Sequence, residues 1–510
     1  MNQANKNFYT NIIHLFVNVL VGLLYTPYLV RQVGMVAYGV VPLALILNQY
    51  INVLSLSLVN ALSRFYSVSY RAGEYNKASS FFSTSILMCV IFSIIIMPIL
   101  VLGVMHIDAI FDIPEDLLTD AKWLFFLTIV SFLLSVVSNC VNTTLFADNY
   151  LDFINYIKIT RQLSKFGVNV ILFLIFDANI IYIGVANLLS EILVLLISFW
   201  AYYKKKPALI HFGISRFEKA ALSTMAIMIF WVIVQRSADV FLYKVDAIFM
   251  NIYFGIEKTG IIGAISEFGS YAISLTGIFG SLIGPLLLIS YSNKDYNSFK
   301  DITIKGSYVV GLICALFCGL LIGSANSILA IWLGEEYSQY GFWLVIKLVV
   351  IPYTTCGAVF TNSYLFANYN KVPAITSLVI SLLNVTITFI FLSFIHSVEG
   401  FLIICLCFIL IQGFFMNIYF FDKLFKGRIR EIAITSLKTT LYLIAVALTT
   451  WFFISIFPIS GISGLIITYV AVAILSIIIL DSFFLPSDYR SFLYELIPVY
   501  KTIRGVFIKS

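Results

Sequence analysis

Four ionisable side chains, Arg236, Asp239, Lys244 and Asp246, interrupt an otherwise apolar run, IFWVIVQRSADVFLYKVDAIF at 229–249. The run is long enough to cross a bilayer, where a centrally placed charge costs roughly 3 kcal/mol. Advancing 100° per residue from Arg236 puts Asp239, Tyr243, Lys244 and Asp246 within about 80° of it, with Phe241, Val245 and Phe249 on the other side. One helix with its charged face towards a water-filled cavity is the arrangement that avoids most of that cost. Other ionisable residues fall at membrane depth: Arg64, Arg161, Lys165, Glu191, Glu267 and Lys347. A guanidinium offers forked donors matched to phosphate oxygens, whereas the lysines offer point charge. Asp239, three residues from Arg236, could hold that arginine when no anion is present. A carboxylate such as Glu191, Glu267 or Asp246, removed from water, could titrate and serve as a proton or sodium site. Each reading has a plainer counterpart. Arg236 and Asp239 could form a structural ion pair, and Arg64, Lys165 and Lys244 could reach up or down to the interface. Glu191 and Glu267 could be bonded to Ser190 and Ser266.

The elements that must carry these residues follow from composition. Hydrophobic residues make up 61% of the 510, charged residues 11%, and the mean hydropathy is +1.00; an ordinary soluble domain carries roughly 25% charged residues. The expected class is an all-α polytopic membrane protein with about 14 transmembrane helices. The spans are 8–30, 40–66, 80–104, 121–145, 155–176, 180–203, 226–252, 260–288, 303–325, 341–366, 374–395, 400–421, 435–457 and 463–485. The first run lacks a small-residue cleavage site and reads as a retained helix. With both termini inside, the cytoplasmic connections hold most loop cations, Arg71, Lys77, Lys204 to Lys206, Lys423, Lys426, Arg428 and Arg430 among them. The other side holds Arg31, Lys122 and Lys258, so the expectation is N-in and C-in. The net charge of +6 is spread over many loops and does not suggest nucleic-acid binding.

The seven cysteines fall in apolar spans and match no disulfide framework or zinc spacing, and the four histidines are scattered. No phosphate-binding loop, nucleophile elbow or paired-carboxylate constellation appears, so neither enzymatic chemistry nor a resident cofactor is expected. A membrane-embedded glycosyltransferase or polymerase would need a large outward loop; the longest here, MHIDAIFDIPEDLLTD at 105–120, reads as a solvated cap.

The chain repeats itself. SVSYRAGEYNKA (67–78) matches LISYSNKDYNSF (288–299) at Ser69/Ser290, Tyr70/Tyr291, Tyr75/Tyr296 and Asn76/Asn297, a shift of 291 − 70 = 221. The same shift pairs Gly34 with Gly255 and Gly39 with Gly260, and a shift of 220 pairs Trp123-Leu124 with Trp343-Leu344. Six spans lie within the shift, an even number, which predicts two parallel six-helix lobes around a central cavity. The expected organisation is an N-lobe at 1–207, a C-lobe at 208–433, two appended helices at 434–486 and a cytoplasmic tail at 487–510.

This pattern resembles the polysaccharide transporter branch of the multidrug/oligosaccharidyl-lipid/polysaccharide exporter superfamily. The resemblance rests on the six-plus-six-plus-two organisation, the Gly34 to Tyr38-Gly39 turn, the tyrosine and acidic turn after span 2, the LFA turn after span 4 with its copy after span 10, and IWLGEEY at 331–337. It covers essentially the whole chain. It implies a flippase moving an undecaprenyl-diphosphate-linked sugar unit across the bacterial cytoplasmic membrane, with membrane lipids and other polysaccharide assembly proteins as partners. Arg64, Arg236, Asp239, Lys244, Lys347 and Arg161 would then line the cavity for the diphosphate and sugar. A multidrug/cation antiporter or a peptidoglycan lipid flippase of the same superfamily stays open: five intramembrane cations against four anions lean only slightly towards an anionic passenger.

Overall fold

The computed structural model describes residues 3–205, 213, 216–366, 369, 371–426, 428–457 and 461–496, and every regular element among them is helical. The expected lobe boundary at 207/208 and the tail beyond 496 lie outside the described residues. By compactness the chain divides into two units, Met1–Gly263 and Ala264–Ser510.

The first unit contains α1 (Gln3–Val33), the single turn α2 (Met35–Tyr38), α3 (Val40–Arg71), α4 (Tyr75–Met105), α5 (Glu115–Ala147), α6 (Leu151–Ile175) and α7 (Ile180–Lys205). It continues through α8 (Lys219–Tyr243), α9 (Val245–Phe254) and the first turns of α10 (Ile256–Ser292). The second unit holds the rest of α10, then α11 (Tyr296–Gly323), α12 (Ala325–Trp332), α13 (Gly341–Val349), α14 (Ile351–Phe366), α15 (Lys371–Phe394) and α16 (Val398–Leu410). A π-helical turn, Ile411–Met416, leads into α17 (Asn417–Phe425), followed by α18 (Ile429–Ile456), α19 (Gly461–Ile479), a second π turn Leu480–Phe484 and α20 (Ser487–Leu496).

Each expected span overlies helix. Among the described residues ten stretches meet both the length and the hydropathy needed to cross a membrane: α1, α4, α5, α7, α11, α13 with α14, α15, α16 with α17, α18, and α19 with its π turn. Of the remainder, α6 carries Lys158, Arg161 and Lys165 close together.

Helices in lipid gain little from apolar burial against each other, so close approach through small residues decides their packing. In the first unit, Gly39, Gly260 and Gly263 let α10 meet the α2–α3 corner; a Cβ on Gly260 would stand 2.9 Å from the Met35 carbonyl. The main core joins Leu58, Leu62 and Tyr66 of α3 to Phe82 and Ile86 of α4, Val136 of α5 and Met225 of α8. In the second unit Phe299, Phe360 and Phe421 gather around α11. There Gly357 of α14 faces the backbone carbonyl of Gly413 inside the first π turn. A π turn displaces its carbonyls from the usual ladder, and Asn417 Nδ2 donates to the Gly413 carbonyl at 2.9 Å while Tyr364 OH donates to Asn417 Oδ1 at 2.8 Å. A methyl at 357 would strike backbone, so Gly357→Ala is expected to cost 2 kcal/mol or more, at the upper part of the roughly 1–3 kcal/mol range for overpacking, read as a lowered thermal midpoint of the purified protein.

The repeated turns have the same local geometry in both units. Gly34 and Gly255 sit at φ of 83° and 86°, each just before a helix start. Gly73 and Lys294, paired by the same shift, take φ of 78° and 58°. Glu74 N donates to the Ser69 carbonyl at 2.9 Å, and Asp295 N to the Ser290 carbonyl at 3.1 Å. Tyr70 with Tyr75 and Tyr291 with Tyr296 form edge-on ring pairs at 5.7 and 6.1 Å. The copies diverge at Trp123, which is 52% exposed, and Trp343, which is buried and donates to Glu399 Oε1 at 2.8 Å.

One expectation fails. The run 229–249 is not a continuous helix: α8 ends at Tyr243, Lys244 takes φ −126° and ψ −5°, and α9 restarts at Val245. Asp246 lies in the first turn of α9, where a negative charge is favoured by the exposed backbone N–H groups. Lys244 and Asp246 therefore do not continue the charged face that begins at Arg236. The break between α13 and α14 at Val350 has a simpler origin, since Pro352 withholds the backbone donor that would bridge it. No proline or glycine marks Lys244.

Candidate functional site

The ionisable residues of the first unit fall into two groups with different commitments. On α6, Lys158, Arg161, Lys165 and Asn169 recur at three- and four-residue intervals and share one stripe. Arg161 grips Glu191 of α7 with two prongs, Nη2 donating to Oε1 at 2.9 Å and Nε lying 2.9 Å from Oε2. Glu191 is only 5% exposed, so this pair belongs to the interior. Lys165 Nζ stands 5.4 Å from the centroid of the Tyr25 ring on α1, and Lys158 is within electrostatic reach of His14. Glu191 is thus held by arginine, not by Ser190, and Arg161 has little left to offer a ligand. Lys158 and Asn169 were not singled out from sequence; their spacing from Arg161 was the available signal.

The second group lies on α3 and α8. Arg236 Nη1 approaches Asp239 Oδ2 at 3.4 Å, beyond the usual 2.7–3.2 Å range. Gln235 Nε2 donates to the other carboxylate oxygen at 3.3 Å. The Arg236 side chain is 47% exposed and Asp239 is 32% exposed, so this pair is loose where Arg161–Glu191 is tight. Arg64 is exposed on α3, with no hydrogen bond or ion pair among the described residues.

The two arginines are far apart along the packed helices. Backbone N–H groups of Gly213 and Glu218 donate to Ser83 and Thr84 of α4, so α8 starts at the end of the unit where α3 finishes. Leu58 of α3 and Ile229 of α8 share one core and one apolar recess, which puts them at the same level. From that level Arg64 lies six residues along α3 in one direction and Arg236 seven residues along α8 in the other. At 1.5 Å per residue the separation is about 20 Å along the axis. They form two stations and cannot clamp one diphosphate together.

Lys244 sits half-buried at the α8–α9 break, and Asp246 is buried and engaged with the protein. Just beyond, Asn251 clasps the 107–114 connection, accepting from Asp112 N at 2.8 Å and donating to the Asp112 carbonyl at 3.0 Å. In the second unit Glu267 on α10 and Lys347 on α13 are half-buried, each already engaged. Among the described residues no group of three or more His, Cys, Asp or Glu could hold a metal ion. All seven cysteines are free thiols; six are buried, and Cys407 is exposed on α16.

No family model matches the chain. It is 26% identical over 388 residues to "Uncharacterized membrane protein EpsK" of Bacillus subtilis (strain 168), covering 75% of each chain. It is 22% identical over 354 residues to a Shigella flexneri protein named "Putative O-antigen transporter", covering 68% of this chain and 80% of that one. Among solved structures, an inward-facing MATE family multidrug transporter of the MOP superfamily superposes with a TM-score of 0.65 at 13% identity, over 84% of this chain and all of that one. The lipid II flippase MurJ in an inward closed conformation gives 0.63 at 16% identity, over 96% and 99%. These likenesses run to transporters and flippases and not to enzymes. The chain is a multi-pass helical membrane protein with the transporter fold of the multidrug/oligosaccharidyl-lipid/polysaccharide superfamily, and among its branches it resembles the polysaccharide transporters.

Proposed function

We propose that this protein is a flippase that moves an undecaprenyl-diphosphate-linked oligosaccharide, a repeat unit of O-antigen, capsule or exopolysaccharide, from the inner to the outer leaflet of the bacterial cytoplasmic membrane by alternating access. The observation that carries the reading is the pair of exposed guanidiniums at two levels of the first unit, Arg64 with no hydrogen bond or ion pair among the described residues and Arg236 in a long, half-exposed pair with Asp239. An arginine exposed at such depth faces water or anions, because hydrocarbon would cost several kcal/mol. With both termini inside, Arg64 stands about 10 Å from the cytoplasmic end of α3 and Arg236 towards the far leaflet. A diphosphate leaving one leaflet would meet Arg64 first and Arg236 later, with Asp239 reclaiming the second arginine on release. Within the first unit Lys244 adds positive potential, whereas Arg161 serves the scaffold. If an ion gradient of protons or sodium drives the cycle, Glu267 and Asp246 stay candidates to sense it, each with partners of its own, and Glu191 is neutralised by Arg161.

The likeness of fold to multidrug transporters supports a second reading, a cation antiporter. The two separate on the passenger's charge. Proteoliposomes holding the full-length protein are expected to move a short-chain fluorescent isoprenyl-diphosphate sugar and to leave a cationic dye where it is. Dye transport without diphosphate-lipid transport would reverse the assignment. Movement of a peptidoglycan-type lipid in preference to an oligosaccharide lipid would place the activity beside MurJ.

A further inference from the structure

Within the second unit a cavity of about 390 Å³ opens where α18 begins, lined by Arg428, Arg430, Glu431, Ile434, Lys438 and Tyr489 among others. The acids around it are spoken for. Arg428 Nη1 lies 2.7 Å from Asp301 Oδ1 and 3.3 Å from Glu431 Oε2, and Tyr489 OH donates to Glu431 Oε1 at 2.7 Å. Burial, then this bond, raises the Tyr489 phenol above its ordinary range, so it stays a donor. Arg430 and Lys438 have no hydrogen-bond or ion-pair partner among the described residues, and Lys305 Nζ stands 5.9 Å from the Tyr489 ring at the cavity's edge. Arg430, Ile434 and Lys438 are four residues apart and share one face of α18, so the two cations bracket an apolar side chain.

The wall beyond the cations is apolar. Ile434, Leu437, Leu441, Ile444 and Leu448 recur at three- and four-residue steps along α18, exposed by 46, 60, 50, 48 and 58%. They form a continuous stripe leading from the cavity along a helix apolar enough to span the membrane. The floor is fixed: α20 is tied back under the unit by Arg490, whose Nε lies 3.0 Å from Asp481 Oδ1 and whose Nη2 donates to the Asp481 and Leu485 carbonyls at 2.7 and 3.2 Å.

We propose that this cavity seats the phosphate headgroup of an anionic membrane phospholipid between Arg430 and Lys438, with the acyl chains laid along the stripe from Ile434 to Leu448. Basic recesses at the headgroup level of helical bundles bind such lipids by this combination of charge and apolar wall. The stripe is the lipid-facing side of α18, so a phospholipid held by its headgroup would lay its chains along it, whereas a soluble phosphate would use the cations alone. The site lies within one unit and does not depend on which passenger the protein carries.

The test titrates the purified full-length protein in neutral detergent with fluorescent short-chain phosphatidylglycerol, and in parallel with phosphatidylcholine. The Arg430→Gln/Lys438→Gln double variant is expected to bind phosphatidylglycerol about 30-fold more weakly, from two lost surface cations, with little change for phosphatidylcholine. Lys423→Gln/Lys426→Gln, which removes the same charge from the same end of the bundle outside the cavity, should bind as the wild type does. Arg430→Lys/Lys438→Arg should retain affinity, which guards against a folding artefact. Equal losses in the two glutamine doubles would mean diffuse attraction and overturn the site, as would no loss in either. Displacement of phosphatidylglycerol by millimolar inorganic phosphate would overturn the lipid assignment in favour of a soluble anion.

Discussion

Arg236→Ala is expected to slow translocation of a diphosphate-linked sugar lipid ten- to a hundredfold, the loss set by one charge-assisted bond of roughly 1.5–3 kcal/mol. Arg236→Lys should fall between, since an ammonium keeps the charge and loses the fork. The ion pair that Arg236→Ala removes is long, at 3.4 Å, and exposed, so thermal stability should move by less than about 1 kcal/mol. Arg64→Ala is expected to cost a similar factor. Because the two sites are about 20 Å apart and share no partner, their effects should multiply in the double variant. The measurement is the time course by which the labelled lipid in proteoliposomes becomes protected from an external quencher. A folded Arg236→Ala protein that flips at the wild-type rate would show that this arginine only reaches for headgroups.

Glu191→Ala should act on stability instead. It strands Arg161 within the α6–α7 interface, and breaking a buried pair costs about 3 kcal/mol at the lower end of the usual range. The lower end applies because the arginine side chain is 30% exposed. Arg161→Ala should cost a comparable amount by stranding a carboxylate that is 7% exposed. In a cycle built from Arg161→Met, Glu191→Leu and their double, the double should recover most of what either single loses, giving a coupling energy of about 2 kcal/mol or more from thermal midpoints. If Glu191→Gln leaves stability untouched and abolishes ion-driven transport, Glu191 belongs to the coupling machinery and the scaffold role is wrong.

The sequence made some of this legible for identifiable reasons. Apolar runs between basic loops locate helices because bilayer thickness dictates their length, and each expected span falls on helical structure, two of them broken at Lys244 and Val350. The repeated turns were readable because Gly34, Gly255 and Gly73 serve backbone angles that side chains resist; Lys294 keeps the angle with a side chain and is recognisable only through its neighbours Tyr291 and Tyr296. The break at Lys244 was not readable. Helical periodicity assumes an uninterrupted screw, and neither proline nor glycine announces where it stops. The tight grip between Arg161 and Glu191 was equally hidden, because it joins residues thirty apart on two helices and periodic reading treats one helix at a time. Arg64 and Arg236 were identified as cations at depth, but their separation became apparent only once Leu58 and Ile229 gave α3 and α8 a common level.

The meeting of Gly357 with the Gly413 carbonyl has a mechanical corollary. Where two helices touch through side chains, knobs lock into holes and relative travel requires rotamers to jump. Here main chain rests on main chain, so the gap cannot narrow further. The Tyr364–Asn417 hydrogen bond and the Phe360–Phe421 ring pair beside the contact hold the two segments in register, so the joint is fixed in travel as well as in spacing.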